Sequence, residues 1–243
     1  MVSELAGLKQ ALSDAETAAA GLPGRRLSYS DQAYSLLRRK ILDNEISAGF
    51  QATEQEIAQA LGMSRTPVRE ALVRLANEGL VEVRPRHGMR VLPVSGEDMR
   101  EIYEILTGLE TVAAESVARM GLSEAQTAGL EQAVTDMDEA LAREDLRAWA
   151  EADERFHMLL VDFCGNRRLR SLVGTYWDQA HRVRMITLRL RPKPTKSSQD
   201  HADLLDALRR RDGEAARRIH RKHREGSGEM LIEILETHGL TAL

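Results

Sequence analysis

With 243 residues, 42% of them hydrophobic, the chain is long enough for two domains that each bury a core. A net charge of −4 excludes a general polyanion binder, and a single cysteine excludes an internal disulfide. The sequence carries no signal-peptide pattern and no apolar run near the ~20 residues of a membrane span, which together predict a cytoplasmic protein.

Residues 1–26 are Ala-rich and polar and close on Gly21-Leu22-Pro23-Gly24, predicting a loosely held helix and tether as an N-terminal extension. Ala33, Leu36, Leu37, Ile41 and Leu42 then form one apolar stripe, so a helix is expected from about Asp31 to Asp43. Thr53 with Glu56 three residues later is a capping box, and Ile57, Ala58 and Leu61 give the second helix its buried face. Gly62-Met63 supplies a tight turn. Ser64 opens a third helix, where its hydroxyl is expected to accept from a first-turn N–H; Pro67 sits where a missing N–H costs nothing, and Gly79 ends the run. Leu72, Leu75 and Ala76 would face the core. Arg65, Thr66 and Arg69 crowd the exposed N-terminal end. Cations there oppose the helix macrodipole, so a purely structural design avoids them, and a polyanion such as DNA relieves the conflict.

Val81 and Val83 alternate with Glu82 and Arg84, and Val91 resumes the pattern beyond Gly88, predicting a β-hairpin with the tip Pro85-Arg86-His87-Gly88. Three helices and such a hairpin make a winged helix-turn-helix over residues 27–94. Between Ser64 and Arg90 six arginines face three glutamates, so the positive field is local, as specific DNA binding requires.

Proline and glycine in Leu92-Pro93-Val94-Ser95-Gly96 mark a boundary, and residues 97–240 read as helical. Met99, Ile102, Tyr103, Ile105, Leu106, Leu109, Val112 and Ala113 mark one long helix. Others are expected from Ser123 to about Arg143, Leu146 to Cys164, Arg168 to Leu190, from near Gln199, and from beyond Asp212-Gly213 toward Leu235. The fold class is therefore mainly α: a winged helix followed by an antiparallel bundle of six or seven helices.

Within that bundle Asp153 and His157 are four residues apart, one turn on a single helix face. His201 and His223 lie on two later helices. Three imidazoles and a carboxylate are a donor set for a divalent metal such as Zn²⁺, Ni²⁺, Mn²⁺ or Fe²⁺. On spacing alone the same histidines also fit surface or packed core positions. Cys164 is read as a packing residue.

The stretch from Glu54 to Gly88, EQEIAQALGMSRTPVREALVRLANEGLVEVRPRHG, resembles the DNA-binding domain of the GntR family of bacterial transcription regulators. The resemblance covers roughly residues 27–94. It implies that Arg65, Thr66 and Arg69 contact phosphates and base edges, with Ser64 beside them, that Arg86, His87 and Gly88 form the wing, and that Arg39 touches the DNA backbone. Gln55 stands where many relatives carry an arginine. DERFHMLLVDFCGNRRL, DHADLLDALRRRDGEAARR and His223 are similar to the C-terminal FCD domain of the FadR subfamily. That likeness implies a divalent ion on Asp153, His157, His201 and His223 with positions left open to a small carboxylate effector. Two departures stand out. His220 lies near the inward face where relatives are apolar, so it lines an effector pocket, substitutes for a ligand or reaches the rim. Leu106 occupies a place where similar domains often carry a carboxylate-binding arginine, for which Arg182, Arg184 or Arg189 are possible substitutes.

The implied function is a homodimeric, ligand-responsive repressor or activator that reads a palindromic double-stranded operator, with no catalytic residue and no membrane partner. Two rival readings are a metal-dependent enzyme housed in the helical domain, and a regulator with a structural metal and an acyl-CoA effector.

Overall fold

The computed structural model describes residues 27–84 and 88–240, and divides between Val94 and Ser95 into two compact units. The expected N-terminal helix and tether, and the wing residues Arg86 and His87, lie outside the described residues.

In the first unit α1 (Tyr29–Leu42), α2 (Glu54–Leu61) and α3 (Arg65–Asn77) pack around Leu36, Leu37, Ile41, Ile57, Leu72 and Leu75. The caps explain the boundaries of the first two helices. Ser28 accepts from Asp31 N–H at 3.1 Å, and Thr53 and Glu56 close the reciprocal capping box. Gly62, at φ 68°, ends α2 in the left-handed conformation and lets the chain turn into α3. Ser64 holds the cap position of α3, but its hydroxyl makes no capping hydrogen bond, contrary to expectation.

The expected hairpin gains a third strand. β1 (Gln51–Ala52), β2 (Val81–Arg84) and β3 (Gly88–Val91) form an antiparallel sheet of order β1-β3-β2, with Ala52 opposite Met89 and Val83 opposite the same residue. This explains Gly88. It sits at φ +81°, and a Cβ there would fall 2.1 Å from the Ala52 carbonyl oxygen, so the position requires glycine for β1 to pair.

The second unit is a helical bundle of α4 (Gly96–Met120), α5 (Glu124–Ala142), α6 (Leu146–Phe163), α7 (Arg167–Thr187), α8 (Thr195–Arg209) and α9 (Gly213–Thr237). Ser95 and Ser123 cap α4 and α5 with full capping boxes. The fourth helix of the bundle ends earlier than its periodicity predicts, giving way to a 3₁₀ turn over Leu188–Leu190. α8 begins earlier than expected, directly after Pro194, whose ring favours the entry to a helix. That earlier start matters, because it puts Ser197 in the first turn, one turn ahead of His201. Cys164 is buried at the end of α6 as a free thiol. Among the described residues no helix is long and apolar enough to cross a membrane.

Candidate functional sites

In the first unit, Val68, Ala71, Leu72 and Leu75 anchor α3 by one face, which leaves Ser64, Arg65, Thr66 and Arg69 exposed at its N-terminal end. Glu54, at the start of α2, was not singled out by the sequence and organises this end. Arg69 donates to both carboxylate oxygens of Glu54, at 2.9 and 2.8 Å, and Arg65 reaches the same carboxylate at 3.2 Å. These arginines hold the Glu54 carboxyl below the ordinary carboxylate range. The macrodipole conflict is thus partly met within the chain, while the remaining guanidinium N–H groups point to solvent. Thr53, Glu54, Gln55, Arg65, Arg69 and Gly88 line one open groove. Arg39 is exposed near the end of α1.

In the second unit four side chains from three helices meet in the bundle interior. Asp153 and His157 project from α6, His201 from α8 and His223 from α9; all four are buried, and one donor atom from each lies within 4.8 Å of every other. His157 Nε2 stands 3.3 Å from His201 Nε2 and 3.3 Å from His223 Nε2. Asp153 Oδ1 stands 3.5 Å from His201 Nε2 and 3.9 Å from His157 Nε2.

The outer partners decide where the ring protons are. His157 Nδ1 donates to Glu110 Oε2 at 2.7 Å, and His201 Nδ1 donates to the Ser197 carbonyl at 2.6 Å. His223 Nδ1 faces Asp200 Oδ2 at 3.6 Å. Carboxylate and carbonyl oxygens only accept here, so each Nδ1 carries the proton and each Nε2 is left as a lone pair. Three lone pairs and a carboxylate oxygen therefore face one another with no proton between them. Burial pushes His157 and His201 down to about 4 and His223 to about 3, keeping all three neutral at neutral pH. Burial raises Asp153, but the adjacent Arg184 guanidinium and the three imidazoles outweigh it and hold the carboxyl far below its ordinary range.

A cation fits this arrangement. Donors at ~2.1 Å from one ion lie about 3.0 Å apart in octahedral and about 3.4 Å apart in tetrahedral geometry, close to the separations seen. An Nδ1–H held by a carboxylate or carbonyl is the outer-shell support that metal-bound histidines use.

Glu110 and His220 extend the site. Glu110, on α4, is completely buried and also accepts from His220 Nε2 at 3.1 Å, while its other oxygen is 3.5 Å from Arg224. Of the three readings of His220, the rim is excluded, since the residue is 1% exposed and bonded to Glu110, and it is not among the residues lining the small cavity beside the cluster. The sequence contained a signal for Glu110, a lone carboxylate on the apolar stripe of Leu106, Ala113 and Val117. Leu106 is core-packed and is not among the residues lining the cavity beside the cluster. Beside the cluster lies a small cavity of ≈ 30 Å³, and of Arg182, Arg184 and Arg189 only Arg184 lines it.

The family models agree with this architecture. The model described as "Bacterial regulatory proteins, gntR family" matches residues 29–91, and the FCD domain model matches residues 101–226. The chain is 30% identical to the HTH-type transcriptional repressor RspR of Escherichia coli, over 84% of this chain and 90% of that protein. The chain belongs to the GntR family, with a C-terminal FCD domain. It is also 45% identical over 131 residues, 53% of this chain and 77% of the relative, to an uncharacterized HTH-type regulator of Agrobacterium vitis from the TAR-I ttuE-ttuC' intergenic region. Among solved structures, E. coli McbR/YncC superposes with a TM-score of 0.73 at 22% identity, covering 85% of this chain and 98% of that one. As a member of this family the chain is a DNA-binding transcription regulator and not an enzyme.

Proposed function

We propose that this GntR/FCD regulator acts as a homodimer whose operator affinity is set by a small carboxylate effector bound at a divalent metal. Asp153, His157, His201 and His223 hold the ion, and the observation that carries this is the convergence of four acceptors with no shared proton. The bound ion supplies a Lewis-acid contact for an anionic ligand. The donor set of three nitrogens and one oxygen accepts Zn²⁺, Ni²⁺, Mn²⁺ or Fe²⁺. A cavity of ≈ 30 Å³ disfavours an acyl-CoA effector, since pockets for ligands of that size measure hundreds of Å³.

In the first unit Arg65, Thr66 and Arg69 read the major groove of a palindromic operator, Arg39 and Ser64 contact the backbone, and Arg86, His87 and Gly88 contact the DNA beside it. Support for self-association comes from α4, where Ile105 and Val112, two turns apart, are 37% and 47% exposed. The effector must bind two arrangements of the dimer with different affinity in order to shift DNA binding.

The test is elemental analysis of the purified protein beside its His157→Ala and His201→Ala variants, with operator titration at fixed salt. Metal at one ion per chain, lost in both variants, is expected. Full retention of metal in both would refute the site.

A further inference from the structure

The open groove at the N-terminal end of α3 reaches beyond the helix-turn-helix into the sheet. Val83 and Arg84 of β2 complete its lining, and its volume is ≈ 590 Å³. Arg84 pairs in register with Gly88, so it stands at the root of the wing, directly before the tip. β2 thus contributes one cation to the groove that receives Arg65 and Arg69 from α3.

This lining does not suit a small enclosed ligand. Val83 is its one large apolar side chain, whereas small-molecule pockets are predominantly apolar. Three of its side chains are cationic and Glu54 alone is anionic, with Gln55 adding a neutral amide. Glu54 is already engaged by Arg65 and Arg69. Arg84 has a different acid, Glu82 on its own strand. Its Nε donates to Glu82 Oε2 at 2.9 Å, and one terminal nitrogen lies 2.7 Å from the same oxygen. That contact uses one edge of the guanidinium, and the other terminal nitrogen has no partner among the described residues. The pair is exposed, Arg84 at 46%, and an exposed pair gives way readily to a competing anion. Glu82 stands opposite Arg90 in the β2–β3 register, so its charge keeps a partner when Arg84 turns away.

An α3 end in the major groove and a wing tip beside it are separated, on any duplex, by one sugar–phosphate strand. A cationic groove lined by both elements is where such a strand passes. We infer that Arg84 is a further DNA contact, holding a phosphate of the strand that runs between the bases facing α3 and the wing. This rests on the reading of α3 as the major-groove helix. A phosphate carries no sequence information, so Arg84 sets the affinity for duplex DNA and leaves the choice of sequence to α3.

The experiment titrates the full chain with a mixed-sequence duplex and with a duplex of equal length that it selects from a random pool, over about 50 to 200 mM salt. Arg84→Ala is expected to weaken both by a similar factor, about fivefold, and to lower the slope of log affinity against log salt by about one per bound head. Arg84→Lys is expected to recover most of the loss. A methylphosphonate scan of the selected duplex then locates the contact: neutralising one phosphate per half-site is expected to weaken the parent and leave Arg84→Ala unaffected. If Arg84→Ala keeps the parent's sensitivity at every phosphate, the contact is overturned, even where Arg69→Ala has lost its preference for the selected duplex and the α3 reading stands. A loss confined to the selected duplex marks a base contact and overturns the phosphate role. Selectivity unmoved by Arg69→Ala overturns the α3 reading instead. Glu82→Gln, which keeps Arg84 and removes its intrachain acid, serves if Arg84→Ala does not fold; it is expected to strengthen binding to both duplexes, and no gain overturns the inference.

Discussion

Glu54 and Arg69 form a two-pronged pair across the α2–α3 turn, at 2.9 and 2.8 Å, with Arg65 on the same carboxylate. The pair fixes the planar fork of Arg69 while leaving part of it exposed, so the side chain meets DNA already oriented. Replacing Arg69 by Ala is expected to weaken operator binding roughly tenfold or more. Glu54→Ala is expected to act differently. It frees both arginines, so binding to unrelated DNA strengthens while the ratio of operator to unrelated affinity falls. Titrations of both sequences at one salt concentration check this, and an unchanged ratio in Glu54→Ala would sink the positioning role.

Behind the histidine cluster, Glu110 tests the outer shell. Glu110→Gln keeps an acceptor for His157 Nδ1–H but removes the charge that strengthens the imidazole as a donor to the ion. Metal affinity is expected to drop by about 10- to 100-fold with the fold retained. Competition with a chromophoric chelator measures it. His220→Phe, which leaves the His157–Glu110 bond in place, is expected to change affinity much less.

The buried imidazoles set a pH dependence for the metal-free protein. Their folded values of about 4 for His157 and His201 and about 3 for His223 lie below the ~6.5 of an exposed histidine. Below pH ~6.5 the unfolded chain therefore binds more protons than the folded one, and stability falls as the pH drops from there toward 4. The shifts amount to roughly 3 kcal/mol each for His157 and His201 and roughly 5 kcal/mol for His223 when fully expressed. Asp153 and Glu110, both held below the ordinary carboxylate range, pull in the same direction in stronger acid, while Arg184 beside Asp153 stays charged throughout. Thermal unfolding with chelator is expected to show a Tm flat above about pH 7 and falling steadily by about pH 5. A Tm independent of pH over that range would contradict neutral buried imidazoles.

Gly88→Ala is expected to be severe for the first unit. The added Cβ meets the Ala52 carbonyl oxygen at 2.1 Å with φ at +81°, and backbone rather than a flexible side chain is in the way. A loss of roughly 2 kcal/mol or more is expected, with β1 detached from β3. Amide exchange at Met89 and Val91 reports on that edge, and protection equal to the parent would refute the steric argument.

Local patterns carried most of the fold. The 3.6-residue apolar stripe of α1, the Thr53/Glu56 box and the Ser95 and Ser123 caps each depend on residues within one turn of chain, so they are readable in order. β1 was not readable, because two residues, Gln51 and Ala52, have no periodicity and exist as a strand only through pairing with β3. Asp153 and His157 could be paired by their spacing, and His201 and His223 were candidates by residue type that the family likeness then joined to them. Their meeting point could not be derived from spacing, since it depends on how α6, α8 and α9 pack.

By itself the sequence determined the helix-turn-helix with its arginine-rich third helix, the all-helical second unit and the Asp153/His157 pair. Each follows from spacing within a helix or between neighbouring ones. Only the tertiary structure decided that Glu54 holds Arg65 and Arg69, that Glu110 and His220 back His157, and that Arg84 lines the same groove as Arg65 and Arg69. Those pairings join residues distant in sequence, such as Glu110 and His220, and a buried charge takes its partner from whatever the packing of the core brings within reach.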